Sequence, residues 1–256
     1  MLPLKDENPT RTTPLVTILL IAACVAIWVL VQQGGQRSDG DRFTFETAAI
    51  PCEVVEGRPL TEEEVVVTVR GDDAACTDVP ATPPVFPDKS VYLAVLYSMF
   101  LHGSWLHLGG NMLFLWVFGN NIEDKRGKPA FIIFYLLAGL AATAAHIAVQ
   151  PGSTVPVVGA SGAIAGVMGA YLVLYPNVMI RSLILLGFFV LFRDIAAKWL
   201  LGIWFVSQFF INPNEGVAWM AHVGGFVFGV VAGLVWRATG EPERRSTPAD
   251  TPWRGW

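Results

Sequence analysis

Four polar residues with chemically useful side chains stand out in this sequence: His107, Asn111, Ser161 and His222. Ser161 lies in a Gly-Ala-Ser-Gly sequence at the head of an apolar run from Val157 to Tyr175. A serine in this setting is either a helix-packing residue, because small side chains let helices approach closely, or a nucleophile. A nucleophilic serine needs a base that takes its proton, and histidine suits that role near neutral pH. His222 is therefore the candidate base.

The spacing of the other candidate ligands argues against a metal site. His107 and Asn111 are four residues apart and share one face of a helix, whereas His102 and His107 are five apart and do not. The cysteines lack CxxC spacing, and no HExxH motif occurs. We expect neither a metal nor an organic cofactor.

The composition is typical of a membrane protein. Of the 256 residues, 53% are hydrophobic and 15% are charged, with a mean hydropathy of +0.50, whereas soluble domains have roughly 25% charged residues. The net charge of −4 and the lack of a basic run interleaved with aromatic residues argue against nucleic-acid binding. We predict an all-α polytopic protein that resides in the lipid bilayer.

Six segments are candidates for crossing a bilayer, whose hydrocarbon core of about 30 Å needs about 20 helical residues. We predict a cytoplasmic tail over residues 1–13, a first span over 14–32, a hydrophilic loop over 33–90, a core with spans two to six over 91–236, and a disordered cytoplasmic tail over 237–256. The core spans are Trp105–Asn121, Pro129–Val149, Val157–Tyr175, Asp194–Ile211 and Val217–Trp236. The apolar stretch Leu183–Phe192 is too short to cross, so we interpret it as interfacial or re-entrant.

The distribution of basic residues predicts the orientation of the spans. With both termini inside, every short loop that carries Lys or Arg also lies inside, and the basic residues outside all belong to the long loop. This orientation places His107, Asn111, Ser161 and His222 within about one helical turn of each other in depth, near the outer surface.

The loop over residues 33–90 is acidic, with twelve acidic residues against five basic ones. Within it, Val65–Val69 favours a strand and Pro80–Pro87 an extended linker. Cys52 and Cys76 both lie in this loop. In an oxidising compartment they could form one disulfide, and otherwise they are two free thiols.

Small residues surround the candidate nucleophile and follow the candidate base at helical spacing. Gly159 and Gly162 flank the serine, while Gly225 and Gly229 share a helix face with His222. Stripes of this kind allow close helix packing. Such packing would bring the serine and the histidine within reach of each other.

Attack of a serine on a carbonyl creates an oxyanion, which needs preorganised hydrogen-bond donors. His107, Asn111 and the backbone N–H of Ser161 are the candidate donors. The spans contain no buried Asp or Glu that could orient His222. The sequence therefore predicts a Ser/His dyad rather than a triad.

Three motifs lie in order on three different spans: His-Gly-Ser-Trp-Leu-His-Leu-Gly-Gly-Asn over residues 102–111, Gly-Ala-Ser-Gly over 159–162 and Ala-His-Val-Gly-Gly over 221–225. Together they resemble the rhomboid family of intramembrane serine proteases. The resemblance covers residues 91–236 and the first span. It implies a six-helix bundle with a water-filled cavity open to the outer side, Ser161 as nucleophile and His222 as base. It also implies that His107 and Asn111 stabilise the oxyanion and that the fifth span gates lateral access of the substrate.

Two features depart from the family pattern. The first loop is enlarged by the acidic insert and lacks a clear Trp-Arg pair of the kind many members carry. Ala165 stands one turn below the nucleophile, where some members place an aromatic side chain that stacks on the catalytic histidine. Both departures concern the positioning of His222 and of the loop.

The resemblance implies cleavage of single-pass transmembrane proteins near their extracytoplasmic end, in a bacterial plasma membrane, with the oligomeric state left open. The alternative is a non-catalytic rhomboid-like protein that binds membrane clients. Loss of the serine or the histidine would mark that class, and this chain keeps both. His146 is interpreted as structural, while His102 either lines the cavity or shapes its loop.

Overall fold

In the computed structural model, each of the six spans predicted from the sequence contains a helix. The structure describes residues 1–77, 82–186, 189–211 and 217–240. The elements in chain order are β1 (Leu2–Asp6), α1 (Leu15–Ala26), α2 (Gly40–Thr47), α3 (Pro51–Glu56), α4 (Glu62–Val69), α5 (Val91–Ser98), α6 (Trp105–Phe114), α7 (Asn120–Arg126), α8 (Lys128–Val149), α9 (Ser161–Leu174), β2 (Met179–Leu186), β3 (Phe189–Ala196), α10 (Ala197–Ser207) and α11 (Trp219–Ala238). A π-helical turn, Ile27–Val31, prolongs α1, a second, Leu115–Gly119, joins α6 to α7, and a 3₁₀ turn, Gln208–Phe210, ends α10.

Two helices of the described residues, α8 and α11, are long and apolar enough to cross a membrane by length and composition. The first helix with its π-helical turn, Leu15–Val31, and α9 are apolar but shorter. Six crossings of a bilayer therefore stay a prediction. The predicted turn over residues 212–216 and the predicted tail from residue 241 onward lie outside the described residues.

A three-stranded sheet corrects the all-α prediction. Strands β2 and β3 form an antiparallel hairpin, and β1, from the predicted N-terminal tail, pairs with β2 so that Lys5 lies opposite Arg181. The segment Leu183–Phe192, interpreted above as interfacial or re-entrant, belongs to this hairpin except for residues 187–188, which are not described. A short apolar run fits a strand as well as a buried helix, so periodicity could not distinguish them.

Buried polar contacts hold the N-terminal segment against the helices. The carboxylate of Asp6 accepts hydrogen bonds from the Tyr171 hydroxyl at 2.8 Å and from the Asn121 amide at 2.6 Å. Burial raises the pKa of Asp6 to about 6, although these hydrogen bonds oppose the shift. At the start of α1, the Glu123 carboxylate accepts the backbone N–H and the hydroxyl of Thr17 at 2.8 Å.

The acidic insert folds around a small core of its own, formed by Phe45, Ile50, Cys52, Leu60 and Phe86. The predicted strand over Val65–Val69 is wrong, because these residues are the last part of helix α4. Thr61 and Glu64 begin this helix with a capping box, a local signal that outweighs the strand preference of valine.

A salt bridge also orders the insert. Burial tends to raise the pKa of Glu64, but hydrogen bonds from Arg58 and from the Thr61 N–H outweigh it and hold the pKa at about 2. Glu64 therefore stays ionised, and it also accepts the backbone N–H of Thr77 at 2.9 Å. This carboxylate links the start of α4 to the segment that follows Cys76.

Glycines let α9 and α11 pack with their backbones in contact. A Cβ added at Gly225 would collide with the carbonyl of Gly162, and one at Gly229 would collide with the carbonyl of Gly166. Helix α8 packs against both helices, with Ala142 beside Gly162. Backbone contact of this kind requires glycine, since any side chain would separate the helices.

Candidate active site

The first residue of α9 and the first turn of α11 meet at the centre of the site. The hydroxyl oxygen of Ser161 lies 2.9 Å from Nε2 of His222. Because Gly162 follows the serine and Gly225 follows the histidine by three residues, the glycine contact between the helices sets this distance. The arrangement gives a hydroxyl whose proton can pass directly to an imidazole.

The helix terminus adds backbone donors to the site. Ser161 begins α9, and its preceding residue, Ala160, provides no side-chain cap. The first N–H groups of a helix have no partner within the helix and carry the positive end of the helix dipole. The N–H of Ser161 is therefore suited to bind developing negative charge.

His107 and Asn111 lie on α6 and line the same cavity as Ser161 and His222. Nδ1 of His107 is 3.4 Å from the N–H of Gly103, which leaves Nε2 as the N–H donor of the ring. The amide nitrogen of Asn111 is buried and has no hydrogen-bond partner among the described residues. Both α6 side chains thus present donors to which no group in the described part of the chain is hydrogen-bonded.

Gly159 is the position where His107 meets the loop that precedes α9. Its φ of +128° is one that side chains rarely allow. An added Cβ would also lie only 2.7 Å from Nε2 of His107 and 3.4 Å from the Ser161 hydroxyl. A glycine is therefore required for both the backbone conformation and the space around the two side chains.

The cavity has a volume of about 710 Å³, and its wall includes part of the acidic insert, at Asp73 and Ala74. Hydrogen bonds fasten the insert to the segment before α9. The N–H of Thr154 donates to the carbonyl of Asp73 at 2.9 Å, and the N–H of Val157 donates to the carbonyl of Ala49 at 2.8 Å. The insert therefore supports the segment that leads to Ser161.

A disulfide joins Cys52 to Cys76 within the insert, with an S–S distance of 2.04 Å. Cys52 also donates its N–H to the carbonyl of Ser153, in the segment before α9. Cys24 is a buried free thiol in α1.

The chain is similar to known proteins over most of its helical core. A model of the Rhomboid domain matches residues 89–239, more than half of the chain. The chain belongs to the rhomboid family. Rhomboid proteins are membrane proteins.

Three relatives illustrate the range of the family. The rhomboid chain is 31% identical over 146 residues to Rhomboid-like protein 11, chloroplastic, of Arabidopsis thaliana, a match that covers 54% of this chain and 50% of that protein. It is 28% identical over 156 residues to Rhomboid protein 1, mitochondrial, of Saccharomyces cerevisiae, covering 58% and 34%. It is 38% identical over 78 residues to Rhomboid protease GluP of Bacillus subtilis, covering 30% and 15%. The matched segments therefore span half or less of these relatives.

An aromatic side chain lies beside the histidine of this rhomboid, although it comes from an unexpected helix. The rings of Trp204, on α10, and His222 are 5.8 Å apart at an angle of 43°. Ala165, one turn below Ser161, is buried and leaves that position without an aromatic ring. The structure thus supplies from α10 the aromatic neighbour that the sequence lacks on α9.

Gln208 had no role in the sequence-based prediction. Its Oε1 lies 2.7 Å from Nδ1 of His222, and the residue is 4% exposed. It is fourteen residues before the histidine, in the 3₁₀ turn that ends α10. The available signal was a single amide within a predicted membrane span, because polar residues at that depth are commonly functional.

The two remaining histidines also lie near the cavity. The ring of His102 packs edge-on against that of His107 at 5.2 Å, and its backbone N–H and carbonyl both bind the side chain of Gln32. His146, on α8, is 5% exposed and lines the cavity. Nδ1 of His146 has no hydrogen-bond partner among the described residues, so no hydrogen bond of this atom supports the predicted structural role.

Proposed function

We propose that this rhomboid is an intramembrane serine protease, a peptide hydrolase that cleaves single-pass transmembrane proteins near their extracytoplasmic end. The observation that carries the proposal is the 2.9 Å contact between the Ser161 hydroxyl and Nε2 of His222 in a cavity with unoccupied donors. The name of the relative GluP, a rhomboid protease, supports the same reaction class.

In the first half of the reaction, the Ser161 oxygen forms a bond to the scissile carbonyl carbon while His222 takes the hydroxyl proton. The carbonyl electrons move onto oxygen, where His107, Asn111 and the Ser161 N–H stabilise the negative charge. Removing one such donor costs soluble proteases about 3–4 kcal/mol of transition-state stabilisation. Collapse of this intermediate breaks the C–N bond, and His222 protonates the leaving amine.

The second half releases the acyl group. His222 takes a proton from a water molecule, whose oxygen attacks the ester carbon of the acyl-enzyme. The same donors stabilise the second oxyanion. The bond to Ser161 then breaks, and the serine oxygen recovers its proton from His222. The peptide leaves as a carboxylic acid, which loses the second proton of the water to solvent.

We place the protein in the plasma membrane as a multi-pass protein with six crossings, both termini in the cytoplasm and the active site towards the extracytoplasmic side. The positive charges of the short loops support this orientation. The disulfide supports it as well, since it lies in the insert assigned to the outer, oxidising compartment. Residues 91–236 then form the catalytic core, and the insert over 33–90 lies outside.

The experiment is cleavage of a type I transmembrane reporter by the purified protein in liposomes, beside Ser161→Ala and His222→Ala. We expect both variants to lose cleavage while they remain folded. Ser182→Ala, in β2 and outside the cavity, is the matched serine control and should cleave as the parent does. A serine-reactive phosphonate should label the parent and Ser182→Ala but not Ser161→Ala.

If several reporters with helix-destabilising residues stay intact and the phosphonate does not label Ser161, the protease proposal fails. The alternative function is then client binding by a non-catalytic rhomboid-like protein. Co-purification of an uncleaved single-pass client with both the parent and Ser161→Ala would support that alternative.

A further inference from the structure

We propose that Gln208 is a positioning residue that holds His222 in the tautomer and orientation needed to accept the Ser161 proton. This inference rests on the proposed protease function and assigns to an amide the position that a carboxylate holds in a Ser-His-Asp triad. The proposed role of Gln208 is limited to orienting the imidazole of His222. Among the described residues, Gln208 forms hydrogen bonds neither with Ser161 nor with the oxyanion donors.

The hydrogen bonds of the glutamine determine which end of its amide faces the ring. Its Nε2 donates to the carbonyl of Trp204 at 3.0 Å and lies 3.3 Å from the Ser207 hydroxyl. A carbonyl can only accept, so the nitrogen must face Trp204 and the oxygen must face His222. At 2.7 Å from this oxygen, Nδ1 of the histidine has to carry the hydrogen.

That hydrogen decides the chemistry at the other side of the ring. In a neutral imidazole one nitrogen donates and the other accepts. With the proton on Nδ1, the lone pair of Nε2 is free to accept the Ser161 hydroxyl proton across 2.9 Å. The opposite tautomer would present an N–H to the serine and could not act as its base.

Packing keeps the glutamine in place. The ring of Phe205, one turn earlier on α10, stacks on Phe226 of α11 with ring centres 4.6 Å apart. The Trp204 ring lies against the imidazole itself. Helix α10 therefore delivers both contacts that restrain His222, and no carboxylate takes that role, because Asp73 is the only acidic residue among the described residues that line the cavity.

The expected loss of activity on removing Gln208 can be judged from the effect of tautomer control in serine proteases. Replacing the triad aspartate by asparagine in such an enzyme lowers kcat about 10⁴-fold because the wrong tautomer forms. A neutral amide lacks the charge of the aspartate and contributes orientation only. We expect Gln208→Leu to lower kcat by roughly 100-fold with KM unchanged, since the substrate does not touch this side chain.

The first readout does not depend on activity. In protein labelled with ¹⁵N at its four histidines, assigned with His222→Asn, the nitrogen shifts of His222 report which ring atom carries the proton. The parent should show the hydrogen on Nδ1, and Gln208→Leu should show a mixture or the opposite tautomer. Gln32→Leu is the matched control, because Gln32 is also buried but binds the backbone of His102. It should leave the His222 shifts unchanged.

The second readout is the pH profile of kcat/KM. Gln208→Glu restores an acceptor for Nδ1–H, so we expect activity within about tenfold of the parent. A carboxylate also stabilises the imidazolium, so the acid limb of the profile should move to higher pH. A merely structural role for Gln208 would move neither the tautomer nor this limb.

Identical His222 nitrogen shifts in the parent and in folded Gln208→Leu would overturn the inference, even if both proteins cleave substrate. A changed tautomer in a chain that neither cleaves nor reacts with the phosphonate would uphold the contact while the proposed function fails. The two proposals therefore fail on different measurements.

Discussion

The contact between α9 and α11 predicts that Gly225→Ala damages both stability and the proposed activity. A methyl group at this position would collide with the carbonyl oxygen and carbon of Gly162. The obstacle is helix backbone, which cannot rotate away as a side chain could. The two helices would have to separate by roughly 1 Å, because protein interiors are close-packed.

Two opposing terms set the change in stability. Alanine favours a helix over glycine by about 1 kcal/mol, whereas forcing extra atoms into a packed interior costs about 1–3 kcal/mol and occasionally more. Because the overlap is with rigid backbone, we take the upper part of that range and expect a net loss of about 2 kcal/mol.

The same separation would lengthen the contact between Ser161 and His222. Ser161 precedes Gly162, and His222 precedes Gly225 by less than one turn, so the 2.9 Å distance would grow with the helix separation. A misplacement of about 1 Å can cost about 100-fold in rate. We therefore expect the rate at which the phosphonate labels folded Gly225→Ala to be about 100-fold lower than the rate for the parent.

The assay combines denaturation in mixed micelles, followed by tryptophan fluorescence, with phosphonate labelling below the transition. Gly202→Ala is the matched control, because an added Cβ on that α10 residue meets nothing within 4 Å. It should be about 1 kcal/mol more stable than the parent, because only the helix preference of alanine acts there, and it should label at the same rate. Parent-like stability and labelling of Gly225→Ala would refute the backbone contact between α9 and α11.

Three further predictions concern regions outside the helix pair. Replacing Cys52 and Cys76 by serine should lower the free energy of unfolding of the insert by about 3 kcal/mol, since the disulfide closes a loop of 24 residues. Reduction of the parent should give the same loss in a denaturant titration, and an unchanged free energy would contradict this stabilising role of the disulfide. Lys89→Met should lower the free energy of unfolding by about 3–5 kcal/mol, because Glu53, the buried partner of Lys89, loses its counter-charge. The double variant with Glu53→Gln should recover most of this stability in the same titration. For Asp6, burial raises the pKa in the folded state to about 6 from its ordinary value of 3.8, so the folded state binds the proton more tightly than the unfolded state does. The contribution of this proton to the free energy of unfolding is complete below pH 4 and is lost as the pH rises through 6. This loss amounts to about 3 kcal/mol, so the stability difference between the parent and Asp6→Asn should change across that pH range, and a constant difference would show that Asp6 is not buried.

The helices of the core were predictable because apolar segments of suitable length have few alternatives. The prediction of a third span over Pro129–Val149 differs from α8 by a single residue. The strands were not predictable from the sequence. The Met179–Leu186 segment is mostly apolar, as a membrane helix would be, and its partner β1 lies more than 170 residues earlier in the chain. Pairing across such a distance leaves no local pattern in either segment.

The insert shows the same limit. Its acidic composition and its two cysteines are visible in the sequence, whereas the Val65–Val69 stretch suggested a strand. The helix there depends on the Thr61–Glu64 capping box and on packing against the insert core. Intrinsic preference gave way to local capping and tertiary contact, as it commonly does for short valine-rich segments.

The sequence by itself determined the candidate chemistry: a serine among small residues, two histidines, an asparagine and glycines at helical spacing. Residue type and helical period are local properties, so a single chain displays them. Only the tertiary structure decided that Gln208 faces Nδ1 of His222, that Trp204 replaces the missing aromatic neighbour, and that the insert supports the segment before Ser161. These contacts join elements far apart in the chain, and packing in three dimensions alone brings them together.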